Sequence, residues 1–182
     1  MRQMILLSGI IAGVLGVAHL GGCSTAPKFK DQPAFLEHAE STRGWFKTNV
    51  TGLREQIRDS AGHIVFPGVG QWGLLYGGGT FGRGALYSPD GTQLGWAAIN
   101  VQSIGLQVGV QGFRMLMVLE NEKVLQEYRA NKLTGSVNGV VVGVKAGGSA
   151  AASFTRGVAV YQGANKGLMA GLSIGLNSLL SG

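Results

Sequence analysis

The apolar positions along the chain change their period once. Between Pro33 and Phe46 they recur at helical spacing: Phe35, Ala39, Thr42 and Phe46 form one face, and Pro33 suits the first helical position. A second helix is predicted behind a cap at Asn49 or Thr51, with Leu53, Ile57 and Ala61 on one stripe and Gly62 at its end. From Gly62 onward the period is two. Ile64, Val65 and Phe66 read as a short strand stopped by Pro67, and Leu106, Val108 and Val110 share one face of a half-buried strand from 105 to 111. Met115 to Leu119 is a compact apolar strand. Asn121 then caps a short helix with Val124, Leu125 and Tyr128 inward, ending near Asn131. Residues 135–146, 157–162 and 168–176 read as further strands, with 146–152 a loop by composition. Gly167, Gly171 and Gly175 also form a small-xxx-small series of the kind that packs membrane helices. Alternation through Leu168, Ala170, Leu172, Ile174 and Leu176 fits a strand better.

Glycine sharpens this picture. The chain holds 32 glycines in 182 residues and only 13% charged residues. Between Ala61 and Tyr87, Gly68, Gly70, Gly73, Gly77, Gly78, Gly79, Gly82 and Gly84 leave little side chain to pack. Such a strand is intrinsically weak and persists where something lies close to its backbone or the sheet bends. The composition is too apolar for disorder and lacks the triplet of collagen, which leaves a β-rich domain with a mild surface.

The N-terminus bears on the compartment. Arg2 precedes an apolar run from Ile5 to Val17, the length of a signal-peptide core and too short for a membrane span. Leu20-Gly21-Gly22-Cys23 resembles the lipobox of bacterial lipoproteins, which implies cleavage after residue 22 and acylation of Cys23. The alternative is a buried cysteine behind an uncleaved anchor. Cys23 is the single cysteine, so no intrachain disulfide forms, and lipidation supplies a reason for a lone thiol in an exported chain. Ser24 in place of Asp implies, by resemblance to lipoprotein sorting rules, the outer membrane with the domain facing the periplasm. The expected organisation is a leader over 1–22, a lipidated tether over 23–32 and one domain over 33–182. The formal net charge is +6, and loss of Arg2 with the leader keeps it positive. Beside a bilayer that excess attracts anionic headgroups at about 1 kcal/mol per well-placed cation. Nucleic acid is excluded as a partner, since no Lys/Arg cluster interleaves with aromatics.

Enzyme motifs do not survive their context. Gly171-Leu172-Ser173-Ile174-Gly175 matches G-x-S-x-G, but no Asp, Glu or His follows it. Gly68 to Gly73 and Gly77 to Gly82 match G-x-G-x-x-G, yet more glycine-rich strand follows rather than a helix. His38 and His63 lack the paired spacing of a metal site. A non-enzymatic protein without metal or cofactor is expected.

Three blocks in order resemble the SYLF domain, a lipid-binding module of bacterial lipoproteins and of eukaryotic phosphoinositide-binding proteins. They are Ala61-Gly62-His63-Ile64-Val65-Phe66-Pro67 with Gly82-Arg83-Gly84 behind it, Ile104 to Gln111, and Asn165 to Ser173. The chain departs from the family pattern at Gln71, where Lys is frequent, and at Gly175-Leu176, where Glu-Gly is frequent. The resemblance covers about Phe35 to Leu176 and implies an α+β fold. That fold has a strongly curved, partly barrel-like antiparallel sheet, two N-terminal helices and one short helix near 121–131. Its implied activity is binding of membrane phospholipid, with anionic lipid favoured by the charge. Headgroup candidates are Arg83, Lys166, Arg43, Lys47, Arg54 and Arg58, with Trp45 or Trp72 as interfacial anchors. Arg83 leads them, because Gly82 and Gly84 beside it would let a phosphate approach the backbone. For the helix cations the alternative is a solvated face with local partners such as Glu55 and Asp59. A second function class is an envelope scaffold lipoprotein that binds a protein partner by strand addition along its glycine-rich sheet. A transmembrane β-barrel is disfavoured by the amphipathic helices and the lack of aromatic girdles.

Overall fold

The computed structural model describes residues 26–74, 77–104, 109–130, 141–144, 148–164 and 179–181. Three α-helices are present among them: α1 (Gln32–Asn49), α2 (Leu53–Arg58) and α3 (Glu122–Arg129). The strands are β1 (Val50–Thr51), β2 (Gly62–Leu74), β3 (Gly77–Tyr87), β4 (Gln93–Ile104), β5 (Gly109–Leu119), β6 (Val141–Val144), β7 (Ser149–Ala150), β8 (Val158–Ala164) and β9 (Leu179–Ser181). The fold is α+β. Seven strands form one sheet in the order β6-β8-β5-β2-β3-β4-β9, antiparallel except for the β6–β8 pair. Its edge strands β6 and β9 do not pair with each other, so the sheet is not closed into a barrel among the described residues.

The helical spacing of α1 buries Ala39, Thr42 and Phe46 as predicted. The helix runs three residues past Phe46, and the Asn49 side chain turns back to donate to the Trp45 carbonyl at 2.8 Å. Two expectations around α2 are corrected. Its N-cap is Gly52 at φ 84, with no side-chain cap, because Val50 and Thr51 are drawn into a parallel pairing with Ser149 and Ala150. That pairing also places a strand inside the stretch read as a loop. At its other end α2 stops at Arg58, and Gly62 opens β2 instead of closing the helix. A side chain at Gly62 would bring its Cβ to 2.9 Å from the Tyr87 carbonyl oxygen. In α3 the Asn121 side chain accepts from the Val124 amide at 3.2 Å, and Val124, Leu125 and Tyr128 are buried, as predicted.

Pro67 does not stop the strand; β2 passes through it. Val65 pairs with Ala85 and Gly68 with Arg83, so β2 spends three residues where β3 spends two. The same extra residue appears against β5, between Phe66–Met115 and Val69–Phe113. This is a β-bulge, a position that tolerates proline's missing N–H. The bulge keeps Ile64, Phe66 and Val69 on one face, where uninterrupted alternation would have turned Val69 to the other. Likewise β5 is a single strand, although a glycine at 112 splits its apolar pattern into two. Of the strands expected over 105–111 and 135–146, residues 105–108, 135–140 and 145–146 lie outside the described residues, as does the whole of the one expected over 168–176.

Each face of the sheet carries its own core. Ile64, Phe66, Val69, Ile99, Phe113, Met115 and Met117 pack with Val124, Leu125 and Tyr128 of α3 on one side. On the other, Val65, Ala85, Leu116, Val118, Ala159 and Tyr161 pack under Ala39, Phe46, Leu53 and Ile57 of α1 and α2. Burial of each large side chain contributes about 1.5–3 kcal/mol. Phe46 and Leu53, both fully buried, therefore dominate the hold of the helices on the sheet.

Candidate functional site

The bulge leaves a gap at the start of α1. There, a cleft of about 480 Å³ opens between the chain entering α1, the first turns of that helix, and the bulged part of β2 with β3 beside it. Pro27, Phe35, Pro67 and Gly68 line it with apolar surface, and Lys28, Asp31, His38 and Arg83 with ionisable groups. None of those four makes a side-chain hydrogen bond or ion pair with another described residue. Other charges are committed: Arg43 Nη2 lies 2.6 Å from Glu40, and Arg58 Nε lies 2.8 Å from Asp59. Asp31 ends a 3-10 turn over Phe29–Asp31 that leads into α1 and takes up the Gln32 amide, and its side chain makes no cap bond. The result is a concave, mixed-charge site with cationic excess, suited to an anionic or zwitterionic phosphate ester.

Arg83 reaches this site from the middle of β3, opposite Gly68. The glycines beside it act differently from the expectation. A Cβ at Gly84 would lie 2.7 Å from the Phe66 ring, and one at Gly82 would lie 3.1 Å from Val69 Cγ2. Both face the core beneath the sheet. They admit Phe66 and Val69, not a ligand.

The helix cations form a separate group. Arg43 faces inward: its guanidinium lies 4.9 Å from the Tyr87 ring centroid, with Nη1 3.4 Å from His63 Nε2. Lys47 is half-buried, and burial first, then Arg43 and Arg54, lowers its pKa. Arg54 is exposed on α2 and Arg58 is tied to its neighbour. Nine residues along α1 separate Lys47 from His38, about 13 Å of helix rise. The structure thus places Arg83 in the cleft and Arg43, Lys47, Arg54 and Arg58 away from it. Lys166 and Cys23 lie outside the described residues.

The two tryptophan candidates also part company. Trp45 packs edge-on against Phe46 at 5.1 Å, carries the Arg114 guanidinium 4.7 Å above its ring, and fills the space over Gly163. Trp72 stands 46% exposed on β2. Sequence reading missed Lys28, Asp31 and His38, which periodicity treats as tether and outer helix face. It also missed Phe81, 57% exposed, although a lone aromatic inside a glycine run has little of its own size to pack against.

His63 is fully buried, stacked on Tyr87 at 5.5 Å between centroids. Burial, then Arg43 and Lys47, pushes its pKa down to about 3. It is a neutral structural residue. Among the described residues no group of His, Cys, Asp and Glu could hold a metal ion, and no helix is long and apolar enough to cross a membrane. No protein-family model matches the chain, and no curated protein is significantly similar to it.

Proposed function

We propose that this is an outer-membrane lipoprotein, anchored through an acylated Cys23, whose domain binds phospholipid headgroups in the cleft of Lys28, His38 and Arg83. The observation that carries the reading is the position of that cleft at the root of the tether. Lys28 is five residue steps from Cys23, and a chain of that length spans at most about 18 Å. An acyl anchor at Cys23 would therefore hold the cleft within reach of the headgroup layer. Lys28 and Arg83 donate to phosphate oxygens. Asp31, on the same wall, suits the ammonium of an aminophospholipid. The SYLF resemblance supports the same activity, through the sequence blocks alone. Two or more acyl chains suffice for attachment, so the cleft serves recognition and orientation.

The test is native mass spectrometry of the purified full chain with added phospholipid. Lys28→Ala combined with Arg83→Ala removes about 2 kcal/mol of headgroup attraction, a roughly thirtyfold fall in affinity. Equal phospholipid occupancy in the wild type and the double variant would refute the site. A phospholipid-free wild type would refute the activity.

A further inference from the structure

On the helix side, α1 and α2 cover only part of the sheet. Register places Gly68 opposite Arg83, Gly70 opposite Phe81, and Trp72 opposite Gly79, all on this same face. Around Gly68, Phe81 and Trp72 this face is open among the described residues, while Gly79 is buried. Gly68 and Gly112 are exposed, Phe81 is 57% exposed and Trp72 46% exposed. The Phe81 ring lies flat across the strand pair, so close over Gly70 that a Cβ there would meet its Cζ at 2.5 Å. Trp72 is its diagonal neighbour on β2, with Cα atoms roughly 7–8 Å apart. Each ring has a glycine opposite it in the strand pair that they share, with Val110 beside Trp72 and Asn100 beside Phe81 on the outer strands. Arg83 stands two residues along β3, about 6–7 Å away, at the edge of the cleft.

We infer that this open face is the surface that lies against the bilayer, with Phe81 and Trp72 seated among the headgroups. The inference rests on the proposal that Cys23 is acylated. It adds the orientation of the domain and a contact surface distinct from the cleft. Three observations select a lipid leaflet over a protein. The face continues into the cleft at the root of the tether, which brings it to the side that an anchored chain must turn to the membrane. Its border is cationic, with Arg83, Lys28 and the exposed Lys30, matching anionic headgroups. A further aromatic, Phe29, lies between those lysines and is 88% exposed. Aromatics flanked by cations are the composition of a bilayer interface.

The experiment reconstitutes the full acylated chain into vesicles containing anionic phospholipid. Phe81→Cys is labelled with an environment-sensitive fluorophore, and lipids carrying nitroxide quenchers are included. Acylation of Cys23, verified by mass, leaves the introduced thiol as the single labelling site. Leu94→Cys is the control: it too is exposed, six residues from the Phe81 partner Asn100 along β4, roughly 20 Å away. The expected result is a blue-shifted emission at position 81, quenched by nitroxide near the headgroups, with position 94 unchanged. Trp72→Cys supplies the same reading from the neighbouring strand should a label at 81 disturb the sheet. An unquenched label at both 81 and 72 in the anchored chain would overturn the inference and leave headgroup binding untouched. A blue shift that grows with protein concentration without vesicles would overturn it too, by seating a second copy on the face. Arg83→Ala separates the two ideas: loss of bound phospholipid with quenching at 81 retained leaves the docking face standing without its cleft.

Discussion

Acid should unfold this protein through His63. The ring is fully buried, its Nε2 accepts from Arg43 at 3.4 Å, and its Nδ1–H has no hydrogen-bond partner among the described residues. A proton added to it would place a cation in a dry site beside two others. Its folded pKa of about 3 lies below the ordinary value of 6.5, so the unfolded chain takes up the proton first. Stability is therefore complete above about pH 6.5 and falls as pH drops towards 3. The slope is about 1.4 kcal/mol per pH unit, which amounts to a loss of about 3 kcal/mol by pH 4.5. His63→Leu removes the titration, and the Arg43 contact and the Tyr87 stack that it also gives up lower stability by the same amount at each pH in this range. Urea unfolding of both proteins, followed by tryptophan fluorescence between pH 4.5 and 8, checks this. The difference between the two stabilities should change by about 3 kcal/mol across that range, a midpoint change of roughly 1 M or more. Parallel pH profiles, or a His63 ring that titrates near 6.5 by NMR, would refute the reasoning.

Three further outcomes follow from the packing. Gly84→Ala forces a methyl to 2.7 Å from the Phe66 ring and 2.9 Å from the Val65 carbonyl oxygen; a loss of about 1–3 kcal/mol should show in thermal melting. Gly70→Ala meets instead the far end of the exposed Phe81 ring, which can swing away, so stability should change by about 0.5 kcal/mol or less while Phe81 leaves its seat. Tyr161→Phe removes the hydroxyl that accepts from the Ala152 amide at 2.8 Å and donates to Gln56, linking β8 to α2 and the segment after β7. Stranding those partners should cost about 1–3 kcal/mol in urea titrations.

Much of the scaffold is legible in local pattern, because a helix face or a cap is decided by residues three or four apart. Ala39, Thr42 and Phe46, and the Asn121 cap with Val124, Leu125 and Tyr128, belong to this class. Arg43 was open to the same logic. It falls four after Ala39 and three before Phe46, beside the buried stripe, and its inward stack on Tyr87 follows from that spacing. Features fixed by distant partners are not written locally. The bulge at Pro67 exists because β3 and β5 continue on either side of it, and the strand at Val50–Thr51 exists because Ser149–Ala150 lies alongside.

The cleft is of that second kind. It joins residues from 27 to 38, 67 to 68 and 83, which share no period and no motif. Arg83 was identifiable from its place in a glycine-rich block, but the reason given for it concerned the wrong face of the strand. Its glycine neighbours are spent on Phe66 and Val69, while its partners in the site come from the entry to α1. The proposed site is assembled from the bulge and the helix start.

Affinity of the domain for lipid, separated from its acyl chains, is the most direct measure of that account. A chain beginning at Ser24, without Cys23, is mixed at low salt with vesicles containing anionic phospholipid and floated through a density gradient. The account predicts co-flotation that weakens with added salt and is lost with Lys28→Ala and Arg83→Ala together. A folded chain that stays at the bottom of the gradient with every vesicle composition would contradict it.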